Sequence, residues 1–260
     1  MQQISTRQHW IDTPDGQLFA QNWSAEDTQG APIVLLHDSL GCVALWRDFP
    51  EQLARATSRQ VIAYDRLGFG RSAAHPGVLT PGFVEDEARG GFQAVCQHFD
   101  LNEFVVFGHS VGGGMAIGCA AAYPERCQAV ISESAQAFVE AVTLAGIREA
   151  ERQFAMPGQL ERLQKYHADK AVWVLQAWIG TWLSESFSHW NLDAQLQQVG
   201  CPVLALHGDR DEYGSTRHPE RIAAQVRGPV SLHNFTDCGH VPHREFPDAV
   251  LEQLSAFLHR

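Results

Sequence analysis

Residues 104–107 form a short apolar run that passes directly into Gly108-His109-Ser110-Val111-Gly112, and residues 111–123 that follow are small and apolar all round. Uniform hydrophobicity over strand length predicts a strand buried on both faces. Hydrophobicity on every side predicts a helix buried within the molecule rather than laid on its surface. A strand that becomes a helix within two residues needs a tight, strained turn, and the flanking glycines let backbones approach closely there. The serine at its apex is pushed into the open at a helix N-terminus. This one segment already demands a layered α/β architecture around a mostly parallel sheet.

The rest of the 260 residues repeats that rhythm. Residues 8–11 and 17–23 predict an opening strand pair around the turn Pro14-Asp15-Gly16. Further strands are expected at Ile33–Leu36, Val61–Tyr64, 129–132, 203–206 and Val230–Phe235, with helices over 44–57, 82–99 and Pro247–Leu258. From residue 135 to 199 the rhythm stops. That stretch shows helical spacing without a convincing strand and holds Trp173, Trp178, Trp182 and Trp190. It is expected to be a helical lid (135–199) inserted in a core formed by 1–134 and 200–260.

Composition narrows the partners. Asp and Glu outnumber Lys and Arg by 30 to 19, a formal charge of −11, and the arginines are scattered. Such a surface repels phosphate backbones and anionic lipids, which argues against nucleic-acid and membrane binding. The six cysteines show no CxxC pair, so neither a thiolate zinc site nor a dithiol motif is expected. The first 13 residues lack the apolar run of a signal peptide, and a cytoplasmic protein with free thiols is expected.

A serine is a poor nucleophile without a base, and the base needs an orienting acid. Asp237-Cys238-Gly239-His240 follows the strand Val230–Phe235 and precedes the last helix, which offers His240 on a loop at one sheet edge. Leu206-His207-Gly208-Asp209-Arg210-Asp211 follows strand 203–206 and offers a carboxylate, Asp211 or Asp209. Glu133, at the end of strand 129–132, is the competing acid. All lie where parallel strands end, the edge at which open α/β sheets bind ligands. His207 and Asp209 beside His240 could mimic a metal-ligand cluster, but a packed role is favoured and no metal is expected.

Taken together, these motifs resemble the α/β-hydrolase fold superfamily, in its lid-bearing serine hydrolase group of esterases, lactonases, C–C hydrolases and haloperoxidase-like enzymes. The resemblance runs through His37-Asp38-Ser39-Leu40-Gly41, Asp65-Arg66-Leu67-Gly68-Phe69-Gly70-Arg71-Ser72, the serine turn, Gly208 to Asp211, and Gly239-His240 with Glu245 and Pro247. It implies an eight-stranded, mostly parallel sheet flanked by helices, with the lid before the acid-bearing strand. By position it implies Ser110 as nucleophile, His240 as base, Asp211 as acid, and the backbone N–H groups of Ser39 and Val111 as oxyanion hole. One departure stands out: the family loop usually reads His-Gly, and here Asp38 follows His37. A carboxylate there opposes developing negative charge unless it points away, which is the expectation.

The implied activity is hydrolysis of a small, largely apolar carboxylic ester or lactone without a cofactor. Serine at the turn disfavours the dehalogenase and epoxide-hydrolase chemistries that use aspartate. His109 and Val241, where C–C hydrolases typically carry Asn and Trp, demote cleavage of diketone-type ring-cleavage products. A small-ligand receptor with little turnover is the alternative from another class. The expected partner is a small-molecule substrate, with a homodimer left open, and Trp178 or Trp182 is expected to wall the acyl pocket.

Overall fold

The computed structural model describes residues 3–259; Met1, Gln2 and Arg260, at the two ends of the expected core, lie outside the described residues. Eight strands form one sheet: β1 Ile4–Thr13, β2 Gly16–Ala25, β3 Ile33–Leu36, β4 Val61–Tyr64, β5 Phe104–His109, β6 Cys127–Glu133, β7 Val203–Gly208 and β8 Val230–Phe235. Their order is β1-β2-β4-β3-β5-β6-β7-β8. The hairpin β1–β2 and the β2–β4 pair are antiparallel, and every pair from β4 to β8 is parallel.

Alternation along each strand divides the core into two layers. Val34, Leu36, Ile62, Tyr64, Phe104 and Val106 face the buried helix Val111–Ala122. Their neighbours Ile33, Leu35, Val61, Ala63, Val105 and Phe107 face Phe49 and Leu53 of helix Phe49–Thr57 and Val250 and Leu254 of helix Pro247–Leu258. With both faces covered, β3, β4 and β5 are buried along their whole length. That is why they read as continuous apolar runs.

Three expectations change in detail. The helix expected over 44–57 is two pieces, a 3₁₀ turn Val43–Trp46 and helix Phe49–Thr57, because Arg47 takes φ 53° between them. The helix expected over 82–99 is broken at Gly90, leaving Phe83–Asp86, Glu87–Arg89 and Gly91–His98. Helix Arg217–Gln225, between β7 and β8, was not anticipated, because its strongly one-sided apolar pattern is carried by a mostly polar segment. No described helix is long and apolar enough to cross a membrane.

Between β6 and β7 the chain is helical, with Ala141–Phe154, Gln159–His167, Ala171–Trp182 and Asp193–Leu196 as its main elements. Two of its attachments lie over the C-terminal edge of the sheet. Thr143 Oγ1 donates to the carbonyl of Tyr213 at 2.7 Å, and the carboxylate of Glu140 accepts from Ser215 N–H and Oγ. At the other end, buried His167 donates from Nε2 to the carbonyl of Leu40 at 3.0 Å and accepts at Nδ1 from Gly70 N–H at 2.8 Å. Both ring nitrogens are thereby satisfied in the neutral tautomer.

Candidate active site

Strand register sets the site. After β3 the chain steps to β4 on one side and then to β5 on the other, so the strand order reverses between β3 and β5. At that switch point Leu36 is level with Gly108, His109 is level with Glu133, and Glu133 is level with Leu206. The loops after β3, β5, β6 and β7 therefore leave one edge of the sheet side by side.

Ser110 sits at the apex of the β5 turn with φ 57° and ψ −126°, outside the regions that L-residues prefer. Close packing over-determines this strain. A Cβ on Gly108 would lie 1.9 Å from the carbonyl oxygen of Gly112, and one on Gly112 would lie 2.1 Å from that of Leu36. Only glycine fits at either position. The Ser110 N–H is held by the Glu133 carbonyl at 2.8 Å, and its hydroxyl donates to Gln136 Oε1 at 3.4 Å rather than to His240.

The structure brings Asp211 and His240 together. His240 Nδ1 lies 2.8 Å from both carboxylate oxygens of Asp211. Asp211 also accepts from the Tyr213 N–H at 2.8 Å. Burial pushes its pKa up, but the neighbouring His240 and these hydrogen bonds outweigh burial and hold it below the ordinary carboxylate range. The base and acid loops are stitched together by Arg210 N–H to the Cys238 carbonyl at 2.8 Å. The Glu245 carboxylate accepts from Gly239 N–H and Val241 N–H, clasping the backbone on either side of His240. Asp209 is exposed, and Glu133 bonds His243 instead of His240.

Ser110 and His240 open onto one cavity of about 140 Å³, shared with Asp38, Ser39, Leu40, Gln136, Ile147, Trp178, Trp182 and Tyr213 among others. Val111 borders an adjoining small void that also touches Ser39, Trp178 and Trp182. Among the described residues, the backbone N–H groups of Ser39 and Val111 have no acceptor within the chain. Both expected pocket tryptophans thus border the cavity. Gln136, Ile147 and Tyr213 do so as well and carried no signal in the sequence.

Asp38 lines the cavity, yet both its carboxylate oxygens are engaged. Oδ1 accepts from Leu40 N–H at 2.8 Å, and Oδ2 lies 3.3 Å from His109 Nδ1. A buried trio, His109, Glu133 and His243, brings potential metal-ligand atoms within 4.8 Å of one another. The trio is not a free ligand set: both His109 nitrogens and His243 Nδ1 already have partners within the chain.

Comparison with known proteins agrees with this architecture. A curated relative, the (lyso)-N-acylphosphatidylethanolamine lipase of Mus musculus, is 31% identical over 108 residues, which is 42% of this chain and 31% of the lipase. The match thus spans about a third of the length of that relative. The serine hydrolase BPHL of Homo sapiens is 26% identical over 219 residues, covering 81% of this chain and 74% of BPHL. Among solved structures, a thermophilic esterase from Thermogutta terrifontis superposes with a TM-score of 0.74 at 22% identity, covering 97% of this chain and 98% of the esterase. Residues 31–192 match the family model of the alpha/beta hydrolase fold, and the chain belongs to that family.

Proposed function

We propose that the protein is a serine hydrolase that cleaves a small, largely apolar carboxylic ester or lactone through an acyl-enzyme intermediate. The observation that carries this reading is His240, bonded to Asp211 at 2.8 Å and sharing one cavity with the strained Ser110. Ser110 attacks the carbonyl while Nε2 of His240 takes its proton. Asp211, bonded to Nδ1, selects the tautomer that leaves Nε2 free to do so and stabilises the imidazolium. The N–H groups of Ser39 and Val111 then hold the tetrahedral oxyanion. His240 returns the proton to the leaving alkoxide, and water attacks the acyl-enzyme with His240 again as base.

The cavity is on the order of one that admits a benzene ring, which favours a short or compact acyl group. The helical segment 135–199 acts in this reading as the lid that roofs it. Attack requires the Ser110 hydroxyl to turn from Gln136 toward His240, a rotation about one side-chain bond. A fluorophosphonate probe should label Ser110 alone, and Ser110→Ala should abolish labelling and turnover while keeping the fold. Labelling at another serine, or an active alanine variant, overturns the reading. A screen of aryl esters by chain length, lactones and a vinylogous diketone then identifies the bond cleaved.

A further inference from the structure

Asp38 puts a carboxylate next to Ser39, the residue whose N–H is offered to the oxyanion. Unbalanced negative charge there would oppose the reaction. The balance comes from His109, the residue immediately before Ser110 and only 2% exposed. Nε2 of His109 lies 2.8 Å from the carbonyl oxygen of His240, and Nδ1 lies 3.3 Å from Asp38 Oδ2. A carbonyl can only accept, so Nε2 carries a proton. An ionised carboxylate 3.3 Å from Nδ1 favours a proton there as well. The contacts on the two sides of the ring together favour an imidazolium.

The groups packed around the ring bear on that charge. Glu133, fully buried at the end of β6, adds a second carboxylate nearby. His240 on the base loop has its ring centroid 5.0 Å away, and His243 on the next helix 5.1 Å away. Arg244 borders the same small void as Asp38, His109 and His243. Burial works against protonation of His109, but Asp38, Glu133 and the His240 carbonyl outweigh it and raise its pKa above the ordinary histidine value. Burial likewise works against ionised Asp38, and His109 more than compensates, holding Asp38 well below the usual carboxylate range.

We propose that the Asp38–His109 ion pair is a positioning element for catalysis, tying the oxyanion loop, the serine turn and the His240 backbone into one unit while cancelling the Asp38 charge beside the oxyanion. This rests on the serine hydrolase reading above. His109 touches neither substrate nor the reacting proton; it acts through Ser39, Ser110 and His240. Removing His109 alone exposes the carboxylate and is worse than removing both partners.

The test is the rate at which a fluorophosphonate probe labels Ser110, since the phosphonyl oxygen occupies the oxyanion site whatever the natural substrate. His109→Gln should slow labelling by roughly 10²-fold, of the order seen on loss of one oxyanion donor. Adding Asp38→Gly should bring the double variant back to within roughly tenfold of wild type, as charge balance predicts and a packing role does not. A double variant no faster than His109→Gln, with wild type still labelled at Ser110, overturns the pair's role alone. Wild type unlabelled at Ser110 overturns the hydrolase reading and this inference together. Histidine ¹⁵N spectra of the wild-type chain need no variant to fold. The His109 ring, assigned by through-bond correlation to its own backbone, should show both nitrogens protonated at pH 7.5, and a neutral ring at that pH overturns the proposal.

Discussion

Glu133 Oε1 lies 2.5 Å from Nδ1 of His243, and Oε2 accepts the His243 backbone N–H at 3.1 Å. Both oxygens of the competing acid are thus committed to a histidine three residues past His240. The pair sits wholly inside the protein, with Glu133 ionised and His243 neutral. Burial opposes ionisation of Glu133, but His243 outweighs it, and burial likewise keeps His243 below the ordinary histidine pKa despite Glu133. The carboxylate left for His240 is Asp211.

This separates two substitutions. Asp211→Asn should lower kcat by about 10³–10⁴-fold with little change in KM, because the amide favours the wrong imidazole tautomer. Glu133→Gln should instead lower stability, by about 1.5–3 kcal/mol for a buried hydrogen bond to a charged group, with far less effect on kcat per folded molecule. Kinetics and thermal melts of both variants check the assignment. The reverse pattern would transfer the acid's role to Glu133, and small equal losses would return it to Asp209.

Gly112→Ala places a methyl group 2.1 Å from the Leu36 carbonyl, which is backbone and cannot move aside. The variant should lose at least about 3 kcal/mol or fail to accumulate as folded protein. Urea melts of the soluble fraction report it. A wild-type midpoint would show that β3 and the serine turn are not packed as described.

The two cavity tryptophans should differ. Trp182 is 2% exposed and packs edge-on against Phe187 and Trp190, with its indole N–H unpaired. Trp178 is half-buried and meets Tyr213, which in turn meets His240. Trp182→Ala should cost about 3–5 kcal/mol of stability. Trp178→Ala should leave stability closer to wild type and shift chain-length preference toward longer acyl groups. Melting curves and a chain-length series of aryl esters distinguish the two outcomes; unchanged selectivity in Trp178→Ala would leave that residue a packing role only.

Several histidines are buried and held neutral. Burial lowers the pKa of His37, His167 and His207, and that of His218 to about 4. A histidine whose folded pKa lies below its unfolded value, about 6.5, contributes stability above that pH. The contribution is lost as pH falls toward the folded pKa, because the unfolded chain binds more protons. Tm should therefore fall on acidification from pH 7 to pH 4.5, and His218→Gln should flatten that slope. A Tm independent of pH over this range would contradict neutral burial.

Much of the sheet was legible because its signals are local. β3, β4 and β8 fall on the residues their apolar runs mark, and the glycines around Ser110 announce a turn that any such strand-to-helix junction needs. The breaks at Arg47 and Gly90 were not legible, since each interrupts a segment whose side-chain periodicity continues across it. His167 had nothing to separate it from a surface histidine. Its role in joining Leu40 to Gly70 exists only after residues about a hundred apart are brought together.

The same division runs through the site. The sequence by itself determined which residue types stand at the ends of which strands: Ser110 and His240 each follow a recognisable run, whereas Asp211 was singled out from Asp209 and Glu133 only through the family resemblance. Only the tertiary structure decided that Glu133 turns to His243, that Gln136 holds the serine hydroxyl, and that Asp38 is balanced by His109. Strand register places Leu36 level with Gly108, and His109, Glu133 and Leu206 level one residue further on, and side chains then choose partners across loops by geometry and charge. Periodicity along a chain carries the first kind of information; distances between segments far apart in the chain carry the second.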